Sequence, residues 1–472
     1  MPFQLCKQLD VVPPCCTAKC EIIDEMQTRT HAAQKQNTHD SALAVGIDFG
    51  TTNSSMALAD GDNGIKIATF PFAGAPTPSY RSVIYLEQTK SAAGTRRMHS
   101  LTGPAAIEHY LDADEKGRLI QSLKSHLPSR LLTSTNIFGR NYAVEDLISR
   151  ILKDLRLAAE EQWGQKIHSA VVGRPVRFVG SDSDGDDEFA VARLRVAFHH
   201  AGFEQVEFEL EPIAAAWAYE STLDHDELIL IGDFGGGTSD FSLLRVGPGV
   251  RRRGRSKEDL LGSSGVGLAG DAFDARIVHH LVSPALGSNS EARSMGKLLP
   301  AVPSWIYAKL EHWHHLSFLR TNNVREILKR AMVLALEPEK IEALNALIEE
   351  DLGYQLHQAV QRAKFELSHH QETVFRFDSG SSDLRIALTR ADFETWIRED
   401  LQQLEQCVDA LLEKAGVPPG KVDRVFLTGG TSFVPAVNRI FAERFGEDRI
   451  RRGNEFTSVA HGLALRAVET KA

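Results

Sequence analysis

The chain contains one short unit twice. GIDFGTTNSS (46–55) and IGDFGGGTSD (231–240) each follow an apolar run with Asp-Phe-Gly and a turn of small residues, and each leads into a second apolar run. An internal repeat constrains architecture more than any single element, because each copy must find an equivalent place in the fold. Two copies of one strand–turn–strand unit predict two related lobes. Elsewhere strands alternate with helical patterns, which predicts an α/β chain.

The turns predict chemistry as well as shape. Glycine and threonine expose successive backbone N–H groups, a concave donor surface suited to phosphate oxygens. Thr51, Thr52 and Thr238 add hydroxyl donors. Asp48 and Asp233 sit just before each turn, where a carboxylate alone would repel phosphate. A hard cation between them resolves the conflict, and Mg²⁺ held largely through water is the usual one. Two such turns facing each other would clamp one polyphosphate. The plainer reading, two ordinary Gly-rich hairpin turns, leaves the shared Asp-Phe-Gly unexplained.

Between and after the copies, apolar spacing predicts helices over 144–163, 189–202, 211–219, 356–368, 390–415 and 458–468. Strands are predicted at 169–173, 208–210 and 424–428. A loop is expected at the acidic stretch SDSDGDDE (181–188), where Gly185 is out of place for a calcium-binding EF-hand. Loops are also expected at Arg251–Arg255 and at the Gly-rich segment 262–270.

Length and composition add exclusions. At 472 residues the chain is too long for one core. With 53 basic and 63 acidic side chains its net charge is −10, which argues against a general nucleic-acid or anionic-membrane binder. No apolar run approaches a membrane span and no secretory signal is apparent, so a cytoplasmic location is the expectation. Residues 1–41 are polar and irregular, and they read as a disordered, cysteine-containing extension. Cys6, Cys15, Cys16 and Cys20 lie there without paired C-x-x-C spacing, and Met26 is an alternative start. Only Cys407 follows, which rules out a disulfide framework.

Three further patterns carry less. Gly265-Val-Gly-Leu-Ala-Gly270 fits a dinucleotide fingerprint but lacks an evident preceding strand, so a phosphate contact from Gly270 is the expectation and an NAD site is not. Histidines 279, 280, 312, 314, 315, 369 and 370 cluster without acidic or cysteine partners at ligand spacing. No P-loop motif occurs.

Seven segments together are similar to the ATPase domain of the heat shock protein 70 (DnaK) family, within the actin and sugar-kinase superfamily. They are GIDFGTTNS (46–54), EPIAAAWAYE (211–220), DFGGGTSDFSLL (233–244), LAGDAFD (268–274), RAKFELS (362–368), LTGGTSFVP (427–435) and SVAHGLA (458–464). They run in family order from about residue 42 onward. The chain most resembles the short YegD-type bacterial homologues, sharing the GRPVRF segment (173–178), LLGSSG (260–265) and an early C-terminus.

That resemblance implies an actin-like ATPase fold of two lobes, each with a ribonuclease-H-like sheet flanked by helices and with ATP or ADP between them. The first lobe would span 42–225, completed by 446–472, and the second 226–445. Gly50, Thr51, Thr52, Asn53, Gly235, Gly236, Gly237 and Thr238 would hold phosphates, and Asp48 and Asp233 a hydrated Mg²⁺. Lys124 would orient the attacking water and stabilise the γ-phosphate, with Glu211 accepting hydrogen bonds, and Asp233 and Thr238 supporting the chemistry. Gly270, Gln361, Lys364, Ser368, Gly429, Gly430 and Phe433 would line the nucleoside side.

Some positions depart from the family. Gln361 stands where the family has a glutamate, Phe433 where an arginine packs on adenine, and an acidic residue is missing near Phe456. The family's peptide-binding domain and helical lid are not expected, because the sequence stops at Ala472. The expected function is a slow, Mg²⁺-dependent ATPase related to chaperones, with a protein client or co-chaperone acting in trans and no nucleic acid or membrane partner. A small-molecule kinase and a nucleotide-sensing scaffold without turnover are the alternatives.

Overall fold

Strand β1 (Ala44–Phe49) pairs antiparallel with β2 (Asn53–Ala59) from Ala44↔Ala59 to Phe49↔Ser54, leaving only residues 50–52 for the turn. The second copy does the same. Strand β6 (Glu227–Phe234) pairs with β7 (Ser239–Val246) from Glu227↔Val246 to Phe234↔Ser239, around Gly235–Thr238. These elements belong to a computed structural model. It describes residues 43–469 apart from 61–63, 73, 91–95, 114–116, 221–222, 255–256, 295, 313–315, 317–318, 379–382 and 453–457. The expectations for residues 1–41 and their cysteines, for His314 and His315, and for the neighbourhood of Phe456 lie outside the described residues.

Each hairpin seeds a sheet of the same design. Strands β3 (Ile65–Ile67), β4 (Ser169–Arg174) and β5 (Gln205–Leu210) complete the first in the order β3-β2-β1-β4-β5, with the two-residue strand Tyr80–Arg81 also on β2. Strands β8 (Leu260–Val266), β9 (Arg424–Thr428) and β10 (Ile450–Arg452) complete the second as β8-β7-β6-β9-β10. In both, the first three strands are antiparallel and the last two join in parallel. The repeat seen in the sequence is thus a repeat of whole sheets, in the strand order expected of a ribonuclease-H-like lobe.

Both faces of each sheet are covered, which is why β6 reads as an apolar run. Outside the first sheet, Val45, Ile47 and Met56 pack on α1 (Val144–Trp163) through Leu147, Ile148 and Ile151, and on α2 (Asp184–His200) through Leu194 and Phe198. Beyond the second, Leu230, Phe241 and Leu243 meet Phe273 of α4 (Gly270–Ile277) and Val360 of α5 (Gly353–His369). Leu404 of α6 (Arg398–Ala415) and Phe441 of α7 (Pro435–Phe445) complete that layer. Truncating one of these buried aliphatics to alanine costs about 2–5 kcal/mol.

The inner faces share one layer. Helix α3 (Glu211–Glu220) follows β5, and α8 (Ser458–Glu469) follows β10 in chain order. Ala214, Ala215 and Ala216 of α3 and Val459, Leu463 and Ala467 of α8 form one cluster. With them pack Ala44 and Val171 of the first sheet and Ile229, Ile231, Leu244 and Val246 of the second. Alanine keeps this layer thin, and Ala460 and Ala464 lie directly on Ala57. The C-terminal helix therefore packs on both sheets. Leu43–Ala472 forms a single unit.

Four expectations from the sequence are corrected. The acidic stretch is the start of a helix: Ser183 caps α2 by accepting from the Asp186 N–H, and Asp184, Asp186 and Asp187 fill its first turn, where the helix dipole favours carboxylates. Residues 260–266 are a strand, because the edge of β7 supplies backbone partners that outweigh the glycines' weak strand preference. Pro248–Arg253 is a short helix. The helix read over 390–415 is two, Arg390–Trp396 and α6, broken at the buried Ile397. No helix among the described residues is long and apolar enough to cross a membrane.

Candidate functional site

The two turns meet. A Cβ on Gly236 would collide with the Thr52 hydroxyl, so the second turn approaches the first as closely as it does only because this residue has no side chain. Gly429, at the end of β9, has φ +84° and a Cβ there would strike the Phe234 carbonyl, so the backbone beside the second turn also requires glycine. Between these elements opens a cavity of about 440 Å³.

Its floor is acidic. Asp48 and Asp233 occupy equivalent positions, next to last in β1 and β6, and Glu211 opens α3. Asp240 lies opposite Asp233 in β7. Lys124 reaches in from a 3₁₀ turn, Leu123–His126, whose preceding residue Ser122 has left-handed φ of 57°. Its Nζ donates to Glu211 Oε1 at 2.7 Å, and both side chains are buried. Thr428 Oγ1 donates to Asp233 Oδ1 at 2.6 Å. Asp240 Oδ1 is buried and has no hydrogen-bond partner.

Crowding and burial shift the protons. Burial, Glu211 and Asp233 push the Asp48 carboxyl up to about 8, against the pull of Lys124. Burial and Glu211 push Asp233 up to about 6, although Thr428 and Lys124 act the other way. Burial, followed by Glu211 and Asp233, drives Asp240 well above the usual carboxylate range. Burial alone would depress the Lys124 amine, but Glu211 and Asp48 hold it above its ordinary value. Four carboxylates around one ammonium leave a deficit of positive charge, which protons or a cation must supply.

Among the described residues no three His, Cys, Asp or Glu side chains converge to ligate an ion directly. The oxygen-only donor set of Asp48, Glu211 and Asp233, with no three side chains converging, fits a hydrated hard cation held through its waters rather than a stripped one.

Lining the cavity are Asp48, Gly50, Thr51, Thr52, Asn53, Lys124, Glu211, Asp233, Gly235, Gly236, Thr238, Gly270, Gln361, Lys364, Ser368, Gly429, Gly430 and Phe433. Of the residues singled out in the sequence, Gly237 is outside this lining, and a Cβ there would touch Val179 instead. The nucleoside-side candidates already have protein partners. Lys364 Nζ contacts Asp274 Oδ1 at 2.6 Å and the Gly270 carbonyl at 3.0 Å, and Ser368 Oγ donates to the Lys364 carbonyl at 3.1 Å.

Among the lining residues that escaped the sequence reading are Arg81, Asp271 and Phe365. Arg81 donates to Asn53 Oδ1 at 3.0 Å, bracing the first turn. Asp271, whose N–H donates to the Gly236 carbonyl at 2.9 Å, is pushed up to about 7 by burial and Asp274, against Lys364 and Arg81. Phe365 shares a face of α5 with Gln361, Lys364 and Ser368, and that spacing alone could have found it. Among the described residues the histidines assemble no centre: His279 pairs with Glu311, and His280 stacks on Trp396 at 5.2 Å.

A family model described as "Hsp70 protein" matches residues 44–292 and 337–469. The protein named "Chaperone protein DnaK" of Thermosipho africanus (strain TCF52B) is 27% identical over 432 residues, covering 90% of this chain and 58% of that protein. The DnaK of Thermosipho melanesiensis (strain DSM 12029 / CIP 104789 / BI429) is 27% identical over 433 residues, with the same coverage. The chain thus spans 58% of the length of these curated relatives. Both sheets and all the cavity-lining residues fall inside the matched ranges, so the chain belongs to the Hsp70 family and has its actin-like ATPase fold.

Proposed function

We propose that the cleft binds ATP with a hydrated Mg²⁺ and hydrolyses it slowly, as the nucleotide-driven part of a chaperone-type switch. The observation that carries this reading is the Lys124–Glu211 pair at 2.7 Å, set among carboxylates beside two facing donor turns. Backbone N–H groups of the two turns, with the hydroxyls of Thr51, Thr52 and Thr238, would grip the phosphates from both sides. Asp48 and Asp233 would hold the cation's waters. The cation, when bound, supplies charge neutralisation to the phosphate oxygens.

Lys124 would stabilise charge building on the γ-phosphoryl oxygens and orient a water, and Glu211 would accept a hydrogen bond from that water. The water oxygen forms a bond to γ-phosphorus as the bond to the β,γ-bridging oxygen breaks, giving ADP and inorganic phosphate with release of the water's proton. Positioning and electrostatics supply most of the acceleration in such a reaction. Lobe closure on nucleotide, a hinge motion across the α3/α8 layer, would report nucleotide state to a protein client or co-chaperone supplied in trans. The setting proposed for this activity is cytoplasmic. Phosphate release from the full chain tests the reading: D233A and K124A should each remove most turnover, and retained wild-type hydrolysis in both would overturn it.

A further inference from the structure

Residues 293–336 lie between the two ranges matched by the family model, and six large hydrophobic side chains are exposed within them: Leu298, Leu299, Trp305, Val333, Leu334 and Leu336. Isolated exposure of this kind is ordinary, but strand register gathers several of these side chains on one face. Strand Glu291–Ser294 pairs antiparallel with Lys297–Pro300, setting Glu291 opposite Pro300, Ala292 opposite Leu299 and Arg293 opposite Leu298. On its other edge Ala292 bridges Ala335, and the Leu336 N–H donates to the Glu291 carbonyl at 2.8 Å. Directly opposed residues of antiparallel strands project from the same face, and neighbours along a strand alternate. One face therefore holds Ala335, Ala292 and Leu299; Ala292 is buried and Ala335 packs on the core of the second lobe. The opposite face holds Leu334, Arg293 and Leu298 in one row and Leu336, Glu291 and Pro300 in the next, and all six are exposed.

Positive charge surrounds these leucines. Residues 293–336 contain seven Lys and Arg against two acidic residues, in a chain whose net charge is −10. Arg293 stands within the face, and Lys297 begins its outer strand. Arg330 precedes Val333 and Leu334 by three and four residues on the helix Asn322–Leu334, which puts it on their side. Arg325 and Lys329 pair with Glu349 and Glu326, whereas Arg293, Lys297 and Arg330 form no ion pair among the described residues. The outer strand is exposed along its whole length, but Lys297 and Pro300 blunt its edge against an added strand. The face, not the edge, is the surface left to dock on, and a helix is a common cover for such a face.

We propose that this face docks an acidic, amphipathic helix of a partner protein. The helix rests its apolar side on Leu298, Leu334 and Leu336, and its carboxylates meet Arg293, Lys297 and Arg330. Unpaired cations on an otherwise acidic chain select an acidic occupant. A second copy meeting this one through the same face would set those cations against each other. The proposal is independent of the nucleotide site.

Fluorescence anisotropy with the full chain tests this, using a labelled synthetic helical peptide with leucines along one side and glutamates flanking them. The same peptide with lysine in place of glutamate is the control. The glutamate peptide should bind at least about tenfold tighter than the lysine peptide, and added salt should weaken it. L298S/L336S should weaken it by about tenfold or more, and R293E/K297E should reverse the preference between the two peptides. All four substituted side chains are exposed, and unchanged thermal unfolding of both variants excludes a folding defect. No binding of the glutamate peptide, equal binding of the two peptides, or affinities unaltered in both variants overturns the proposal. A wild-type dimer that L298S/L336S dissociates assigns the face to a second copy, and adsorption to phosphatidylserine-containing vesicles in place of peptide binding assigns it to a membrane. Either result also overturns the proposal.

Discussion

Lys124 and Glu211 come from elements far apart in the chain, yet their side chains form a buried ion pair at 2.7 Å on the cleft floor. Removing either partner should do two different things. K124A leaves Glu211, Asp48, Asp233 and Asp240 without their ammonium, and an orphaned buried charge costs about 3–5 kcal/mol. E211Q keeps shape and a hydrogen bond, so it should fold with little loss while turnover falls by about a hundredfold or more. Single-turnover phosphate release, alongside thermal unfolding, separates the two effects. Equal turnover in E211Q and wild type would remove Glu211 from the chemistry.

Gly236 faces Thr52 across the two turns. G236A should weaken ATP binding and lower the unfolding temperature, because its new methyl meets the Thr52 hydroxyl. Adding T52A removes the obstructing oxygen and should restore the unfolding temperature. It should not restore full affinity, since Thr52 is itself a proposed phosphate donor. A double variant no more stable than G236A would mean that the turns do not meet as described.

Much of this cleft was legible because it is duplicated. Asp48 and Asp233, with their Gly and Thr neighbours, could be matched against each other without any partner sequence. Lys364 and Ser368 came with the family resemblance of RAKFELS (362–368), and their i, i+4 spacing puts them on one helical face. Lys124 was legible only through family resemblance: a single 3₁₀ turn after a left-handed serine has no periodicity to read. Arg81 sits on a two-residue strand whose register on Asn53 is set by tertiary pairing. The acidic stretch 181–188 misled because Ser, Asp and Gly serve both in turns and at helix starts. Leu260–Val266 misled because its glycines are tolerated where Gly265 gives room to the Asp240 carboxylate.

Arg193 has a positioning role visible only in three dimensions. Buried in α2, it pairs with Glu145 and donates to the carbonyls of His126, Leu127, Ser129 and Leu132, the segment just after Lys124. R193K cannot reproduce the planar fork. It should lower turnover several-fold while leaving ATP affinity close to wild type. A parallel loss of both would point to general unfolding instead.

Stability should carry an acid-sensitive contribution from Glu160. Burial acts to raise its carboxyl, but the Ile167 N–H, Lys166 and Arg156 outweigh it and hold the group below the usual range. With the folded value depressed, the stabilisation is full above the unfolded value of about 4.3 and fades as pH falls through the folded one. E160Q should therefore cost about 1–3 kcal/mol at neutral pH, with the gap to wild type closing as the pH is lowered below about 4. Chemical denaturation across pH checks this, and a gap that does not change with pH would contradict it.

The two facing turns and their paired aspartates are proposed to form one Mg²⁺-nucleotide site. Calorimetric titration of the full chain with ATP, with Mg²⁺ and then with the metal chelated, tests it most directly. One ATP per chain, bound at least about tenfold tighter with Mg²⁺ and weakened to the chelated level by D233A, is the result expected. Binding that ignores both the metal and Asp233, or no binding at all, would contradict it.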